Sequence, residues 1–221
     1  MGCRVVAIIP AYNEAETVQA VACVAVSSPL VDEVIVVSDA SEDATVREAR
    51  CAGVRVVELF ARHGKGGALR AGVEESRADV LLFLDADLRG LTVDHVNALV
   101  EPVINGKDAM TVGLRDRGWI SRFLMPHLAL VSGERALRRD IFDAVPDAHL
   151  RGYMIETSLN YYCCSHGLSY RAIFMPGLHI RTKFQKVGVL VALRQYGKMW
   201  LQVGLAMLIV RAERALSLFH D

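Results

Sequence analysis

The sequence has no excess of charge of either sign and no long apolar run. Lys plus Arg and Asp plus Glu each number 25, so the net charge is zero and the basic excess typical of a nucleic-acid-binding protein is missing. No stretch reaches the roughly 18 uncharged apolar residues that span a bilayer. The nearest, residues 199–210, contains Gln202 and is followed by Arg211. These absences argue against a nucleic-acid partner and against a membrane-spanning chain.

Cysteine pairs and a secretory leader are also missing from the sequence. The five cysteines are odd in number and form no C-x-x-C motif, and no signal-peptide pattern precedes the first apolar run. Reduced thiols and a cytoplasmic location are therefore expected. Bases outnumber acids over residues 171–214, which would suit an anionic ligand or a membrane surface.

Apolar runs alternate with helical patterns in the first half of the chain. Hydrophobic residues make up 52% of the sequence, as in an ordered globular protein. The alternation predicts an α/β fold with a mostly parallel sheet and helices on both faces. Strands are predicted at residues 4–10, 33–38, 54–59, 79–84 and 109–114. Helices are predicted at residues 13–27, with Asn13 as N-cap, from the end of the turn at residues 39–43 to about residue 52, at 64–76 and at 92–105.

Polar clusters follow the ends of four predicted strands. In open parallel sheets the ligand binds outside the carboxyl ends of the strands, so these clusters are expected to meet there. Solvated loops would instead place polar residues equally at both ends. The clusters are residues 12–14, 38–39, 62–65 and 85–87.

The sequence Asp85-Ala-Asp87 comes directly after an apolar strand pattern. Residues i and i+2 of an extended segment point the same way, so two carboxylates face one side. Hard oxygen ligands suit Mg²⁺ or Mn²⁺, which would also hold a diphosphate. The alternative is a pair of surface aspartates that cap the next helix.

Four motifs carry a resemblance to a known family. They are PAYNE (10–14), VVSDASEDAT (36–45), GKGGALRAG (64–72) and FLDAD (83–87). In this order they resemble the motifs of family 2 glycosyltransferases with the GT-A fold. The resemblance implies a UDP- or GDP-linked sugar donor, a metal ion at Asp87, and an acceptor bound by the C-terminal part.

The resemblance also implies roles for single residues in donor binding. Pro10, Tyr12 and Glu14 would line the nucleoside pocket, Asp39 would accept a hydrogen bond from the base, and Lys65 would contact a phosphate. Asp85 would help to bind the donor and the metal ion. Each has a structural alternative: a first-turn helix acid for Glu14, an N-cap for Asp39, and a glycine-rich turn with a solvated lysine for Lys65.

The second half resembles the family more loosely. Residues 131–135 and 152–156 look like segments of glucosyl-3-phosphoglycerate synthases, with looser counterparts in polyprenyl-phosphate sugar transferases. This likeness implies that Glu134 and Glu156 are catalytic acids near the sugar, beside Asp87, and that His179 is a third metal ligand. A solvated helix-face Glu and a surface His are the alternatives. Helices are predicted at residues 135–144, 153–166 and 187–219, and strand-like pieces at 128–132 and 170–176.

The predicted organisation is a donor-binding part, residues 1–117, packed as one unit with an acceptor-side part, residues 118–221. The predicted function is metal-dependent sugar transfer to a phosphorylated small molecule or a polyprenyl phosphate. The alternatives are a sugar-phosphate nucleotidyltransferase and a non-catalytic adaptor at a membrane surface. The apolar, base-flanked C-terminal helix predicts a core element or a homodimer contact, with peripheral membrane binding as the alternative.

Overall fold

The computed structural model describes residues 2–115, 132–150 and 154–180. The predicted helix at residues 187–219 and most of the strand-like piece at 128–132 lie outside these ranges. Within the described part of the chain, no helix combines the length and the hydropathy needed to cross a bilayer.

The first strand, Val5–Ala11 (β1), shows why this sequence forms a central parallel strand. Its side chains are almost all buried, and they alternate between two apolar clusters. Val5, Ala7 and Ile9 face one cluster, whereas Val6 and Ile8 face the other. A strand buried on both faces needs a continuous apolar run, and β1 has one.

One seven-stranded mixed sheet forms the centre of the molecule. The strands that follow β1 are Glu33–Asp39 (β2), Arg55–Leu59 (β3), Val80–Phe83 (β4), Leu88–Arg89 (β5), Met110–Arg115 (β6), Arg135–Arg138 (β7), Tyr170–Met175 (β8) and His179–Ile180 (β9). The strand order of the large sheet is β3-β2-β1-β4-β7-β6-β8, and a separate two-stranded sheet pairs β5 with β9. The pairs β1–β2, β1–β4, β2–β3 and β6–β8 are parallel, and β7 runs antiparallel to both β4 and β6.

Helices cover both faces of the sheet, as predicted. The helices are Val18–Val26 (α1), Thr45–Cys51 (α2), Gly64–Glu74 (α3), Val93–Ile104 (α4), Arg139–Asp143 (α5) and Met154–Ser165 (α6), with a short 3-10 helix at Asp147–Leu150. Residues of α1, α2 and α4 join one apolar cluster, and residues of α3, α5 and α6 join the other.

Helix α3 lies unusually close to the sheet. A Cβ atom at Gly72 would come within 2.5 Å of Ile8 Cγ2 and 3.0 Å of Val37 Cγ2, so a larger residue has no room there. This close contact fixes α3 against β1 and β2. It thereby sets the position of Lys65, in the first turn of the helix.

The predicted helix at residues 135–144 is wrong in its first half. Residues Arg135–Arg138 form β7, which inserts between β4 and β6, and only Arg139–Asp143 is helical. Ala136 and Leu137 are completely buried there. The open hydrogen-bonding edges of two neighbouring strands outweigh the local helix preference, which is a weak determinant.

Two other local predictions also differ from the structure. Asn13 does not cap a helix, because α1 begins at Val18 and Asn13 has a left-handed backbone with φ of 54°. Its side-chain Oδ1 instead accepts a hydrogen bond from Glu42 N at 2.9 Å. The short strands β5 and β9 were not predicted, since two residues are too few to show a periodic pattern.

Candidate active site

The four polar clusters meet at one edge of the sheet. Strands β1 to β4 are parallel, so their carboxyl ends share that edge, here called the rim. Hydrogen bonds join the loops that follow β1 and β2: the Ser41 hydroxyl accepts from Asn13 N at 3.2 Å, and the Thr45 hydroxyl accepts from Glu14 N at 2.8 Å. The loops therefore form one connected surface rather than separate tips.

Asp39 joins the rim to the start of α3. Its carboxylate accepts hydrogen bonds from His63 N at 2.7 Å and Gly64 N at 2.8 Å, and the side chain is almost fully buried. Two free backbone N–H groups at a helix start attract a carboxylate both as hydrogen-bond donors and through the helix dipole. Asp39 thus holds the glycine-rich turn, and with it Lys65, beside the end of β2.

Tyr12 lies beneath a cation at the same rim. The guanidinium carbon of Arg62 is 3.9 Å from the centroid of the Tyr12 ring. A cation–π contact at an exposed site contributes about 0.5–1 kcal/mol, enough to orient both side chains. Half-buried Pro10 and Glu14 flank Tyr12 along the chain.

Lys65 is the centre of a cluster of charged side chains. Its Nζ atom is 2.7 Å from Asp85 Oδ1 and 3.0 Å from Glu156 Oε1. Gly133 packs directly on this pair: a Cβ atom there would lie 2.6 Å from Asp85 Oδ2 and would overlap Lys65 Nζ. The structure therefore brings together three residues that the sequence predicted separately.

A second cation, Arg115, closes the other side of the cluster. Its Nη2 atom is 3.5 Å from Asp85 Oδ2, and its Nε atom is 3.0 Å from Glu134 Oε2. The Ser132 hydroxyl donates to the same Glu134 oxygen at 2.8 Å or to the Gly113 carbonyl oxygen. Both carboxylate oxygens of Asp85 are thus paired with cations.

The two glutamates each keep one oxygen without a donor. Glu134 Oε1 and Glu156 Oε2 are buried and have no hydrogen-bond partner among the described residues. A buried acceptor left unsatisfied costs about 1–3 kcal/mol. A ligand with hydroxyl donors would satisfy both oxygens.

The charges of the cluster shift one another's pKa values. Burial alone would lower the pKa of Lys65, but Asp85 and then Glu156 outweigh it, and the pKa is raised. Burial would likewise raise the pKa of Asp85, but Lys65 and then Arg115 lower it. Arg115 behaves as Lys65 does: Glu134 and Asp85 outweigh its burial and raise its pKa. The ionised forms therefore stabilise one another.

The two-stranded sheet connects the segment of Asp87 with that of His179: Asp87 directly precedes β5, and His179 begins β9, which pairs with β5. Arg89, two residues after Asp87, is opposite His179 in the β5–β9 pair. The His179 Nδ1 atom is 2.9 Å from the Gly177 carbonyl oxygen, which can only accept, so Nδ1 carries the proton. An imidazole in this tautomer presents the lone pair of Nε2, as metal-binding histidines do.

A complete metal cage is not assembled in the described ranges. No group of three or more His, Cys, Asp or Glu side chains there is arranged to hold a metal ion. A carboxylate and an imidazole nevertheless suit Mg²⁺ or Mn²⁺ when substrate phosphates and water supply the other ligands. The residues at 87 and 179 therefore fit such an ion, and the predicted metal ligands stay a prediction.

Two buried arginines of the site were missed by the sequence analysis. Arg115 ends β6, which is parallel to β8 and, through β7, to β4. The rule that found the other rim residues would therefore have found it. Arg135 gave no such signal, because it lies at the start of a strand that was predicted to be helical.

Comparison with known proteins defines the fold first. A crystal structure of glucosyl-3-phosphoglycerate synthase from Mycobacterium tuberculosis, in complex with Mn²⁺, uridine-diphosphate and phosphoglyceric acid, superimposes with a TM-score of 0.78 at 26% identity, covering 95% of this chain and 78% of that one. The fold is therefore the GT-A type that the motifs implied.

The family follows from the sequence comparison. The model of glycosyl transferase family 2 matches residues 6–163, and the chain belongs to that family. A glucosyl-3-phosphoglycerate synthase of Mycobacterium tuberculosis is 30% identical over 192 residues, 69% of this chain and 58% of that protein. A dolichyl-phosphate beta-glucosyltransferase of Drosophila melanogaster is 43% identical over 96 residues, 36% of this chain and 29% of that protein. The chain thus spans less than two thirds of the length of these relatives.

Proposed function

We propose that the protein is a metal-dependent glycosyltransferase that moves a sugar from a nucleoside-diphosphate-sugar to a phosphate-bearing acceptor. The observation that carries the proposal is the cluster at the rim, where Lys65 Nζ lies 2.7 Å from Asp85 Oδ1 and 3.0 Å from Glu156 Oε1, three residues that are far apart along the chain. The residues predicted to contact the nucleoside follow β1 and β2, which end at the same rim.

The residues of the rim suggest how the donor is held. Tyr12, Glu14 and Pro10 would contact the nucleoside. Asp39 would accept a hydrogen bond from the base, because each of its carboxylate oxygens accepts only one backbone N–H at the start of α3 and has a second lone pair. Lys65 would meet a donor phosphate as the donor replaces part of its contact with Asp85. UDP in the similar mycobacterial structure supports a uridine donor, with a GDP-linked donor as the other candidate.

The sugar would lie between the two glutamates. Glu134 and Glu156 each offer a buried oxygen that lacks a donor, and sugar hydroxyls are donors of the required kind. Either carboxylate would also be placed to accept a proton from an attacking hydroxyl group. Both glutamates are therefore proposed to be catalytic, beside Asp87.

Asp87 and His179 would hold Mg²⁺ or Mn²⁺ at the edge of this site. When bound, such an ion neutralises the charge that develops on the leaving diphosphate. Asp85 would serve mainly to hold Lys65 and Arg115, because both of its oxygens are paired with them. A direct role of Asp85 in metal binding would require one of those pairs to open.

The acceptor class is proposed from the relatives. One relative is named for transfer to a phosphoglycerate and another for transfer to dolichyl phosphate, so both acceptors carry a phosphate. Contact with a membrane surface, or a homodimer, would involve residues 187–219, which lie outside the described ranges. For a protein proposed to be cytoplasmic, flotation with anionic vesicles would test membrane contact, and sedimentation would test the homodimer. Each experiment would be made with and without residues 187–219.

The decisive experiment replaces Asp87 with Ala. UDP-glucose and GDP-mannose are supplied with 3-phosphoglycerate or a short polyprenyl phosphate, with Mn²⁺ or Mg²⁺, and the product is detected by mass. We expect Asp87→Ala to lower transfer at least about a hundredfold, because the developing diphosphate charge loses its counterion.

The control is Asp94→Ala, an exposed acid in the first turn of α4, which should transfer normally. Metal-dependent transfer that persists in Asp87→Ala would contradict the proposal. Release of pyrophosphate from a nucleoside triphosphate and a sugar phosphate would instead indicate a nucleotidyltransferase.

A further inference from the structure

Arg135 is a charged residue inside the core of the protein. It is 1% exposed, begins β7, and follows directly after Glu134. None of the hydrogen bonds that its guanidinium makes within the described ranges goes to a carboxylate. Its Nη2 atom donates to the Ser132 carbonyl oxygen at 2.5 Å, and its Nη1 atom lies 3.4 Å from both the Glu156 carbonyl oxygen and Asn160 Oδ1.

These hydrogen bonds join two segments that are distant along the chain. The Ser132 carbonyl belongs to the turn that precedes β7 and carries Gly133 and Glu134. The Glu156 carbonyl and Asn160 belong to the first two turns of α6. A planar guanidinium with donors on several edges can hold such a bridge in one geometry, whereas a lysine has a single ammonium.

Stability alone does not explain an arginine at this position. The Nε atom of Arg135 is buried and has no hydrogen-bond partner among the described residues. Burial lowers the pKa of its guanidinium, and attraction by Glu156 and Glu134 only partly opposes this effect. An apolar residue of similar volume at such a site is often neutral or stabilising.

We infer that Arg135 is a positioning residue for sugar transfer, which fixes the turn at 132–134 against α6 and so sets the placement of Glu134 and Glu156 around Lys65 and Asp85. The inference rests on the proposed function. It adds that the sugar side of the site depends on a residue that touches neither the donor nor the acceptor. The nucleoside side, built on β1 to β3, does not depend on it.

The charge balance of the cluster supports the same role. Lys65, Arg115 and Arg135 lie among Asp85, Glu134 and Glu156, so these six side chains include equal numbers of basic and acidic groups. Without the arginine, one negative charge would be left uncompensated where an anionic donor binds. Geometry and charge therefore assign Arg135 to the same function.

The test compares Arg135→Met and Arg135→Lys with the unaltered protein. In both variants we expect kcat per folded molecule to fall about tenfold to a hundredfold, because the two carboxylates are displaced. The Kd for UDP should stay within about twofold, since its pocket is built elsewhere. Arg135→Lys keeps the charge and serves as the second variant if Arg135→Met does not fold.

Three further measurements separate positioning from a merely structural role. Arg139→Met is the matched control, since Arg139 also bonds a backbone carbonyl, Ser76 O at 3.0 Å, but lies outside the site. It should leave kcat unchanged. The double variant with Glu156→Gln should be no slower than Glu156→Gln alone, because effects that act through one group do not multiply. Hydrogen exchange at residues 132–134 and in the first turns of α6 should speed up in Arg135→Met.

The outcomes distinguish this inference from the proposed function. An unaltered kcat in both Arg135 variants, or effects that multiply fully with Glu156→Gln, would overturn the positioning role. If the unaltered protein transfers no sugar, the proposed function fails, and the exchange experiment still decides the bridge: unchanged exchange in both segments would refute it.

Discussion

Gly133 occupies a place in the site where a side chain has no room. The atoms that a Cβ would meet there are Lys65 Nζ and Asp85 Oδ2, the latter at 2.6 Å. The flexible end of the Lys65 side chain can move away from a larger residue at position 133. The fold would then be kept, but the ion pair between Lys65 and Asp85 would be disturbed. The glycine is therefore explained by the ion pair that it packs against and not by its backbone conformation.

Gly133→Ala is expected to lower transfer at least about tenfold, while the free energy of unfolding falls by about 1–3 kcal/mol. The measurements are kcat and a urea denaturation curve. Gly53→Ala is the control: Gly53 has a φ of 71° but open space around it, so its replacement should reduce stability without changing kcat. Equal kcat in Gly133→Ala and the unaltered protein would show that the ion pair is dispensable.

Two residues of the rim, unlike Gly133, adopt an unfavourable backbone conformation. Asn13 and Ala40 have φ values of 54° and 57°, in the left-handed region that an L residue enters at a cost of roughly 1–2 kcal/mol. Bonds from Asn13 to Glu42 and to Ser41 hold these turns in place. Strain of this kind is tolerated where surrounding contacts over-determine the loop, which is common at ligand sites.

At the scale of elements, helix α3 depends on an aspartate from another strand. The turn at residues 62–64 supplies no side-chain cap of its own, and Asp39, at the end of β2, accepts its backbone N–H groups instead. The proposed contact with the donor and the stability of α3 would therefore depend on the same carboxylate.

Asp39→Ala is expected to reduce the free energy of unfolding by about 0.5–2 kcal/mol and to weaken UDP binding as well. Ser76→Ala is the matched control, because the Ser76 hydroxyl bonds Val73 O at 2.9 Å at the opposite end of α3. It should reduce stability but leave the Kd for UDP unchanged, as measured by calorimetry. A Kd for UDP that is also unchanged in Asp39→Ala would reduce Asp39 to a structural cap.

Strand β7 shows how one element connects the two halves of the site. It lies between β4, which leads to Asp85, and β6, which ends at Arg115. Its first residue is Arg135, and the turn before it carries Glu134. Phe83 of β4 packs edge-on against Phe142 of α5 with ring centroids 5.5 Å apart, which anchors the helix that follows.

For the whole molecule, ligand binding is expected to raise thermal stability in a metal-dependent way. UDP at about 100 times its Kd adds about 2.7 kcal/mol to the native state. For a domain of this size that corresponds to an increase in Tm of roughly 5–11 °C. The increase should require Mn²⁺ or Mg²⁺ together with UDP and be larger than the sum of the separate effects.

The control for this measurement is Asp87→Ala, which should lose the metal-dependent part of the increase while keeping the Tm of the ligand-free protein. UMP is the second control, because it lacks the diphosphate that the cation bridges. An equal increase in the presence of a chelator would contradict the proposed role of the metal ion.

The sequence by itself determined the alternation of strands and helices, the family, and the shared edge of four polar clusters. The reason is that burial on both faces requires apolar runs of a certain length, and parallel strands place all of their carboxyl ends together. Lys65 and Asp85 were named from the ends of strands, whereas Glu134 and Glu156 were named only from the resemblance. The four side chains lie together in the structure, and their roles stay predictions.

Only the tertiary structure decided which of these groups pair. The contact of Lys65 with Glu156, the capping of α3 by Asp39, and the bridge from Arg135 to α6 each join segments far apart along the chain. The strand at residues 135–138 likewise depends on the open edges of β4 and β6. Local patterns report which face of a segment is buried, whereas the identity of its partner is set by packing between distant segments.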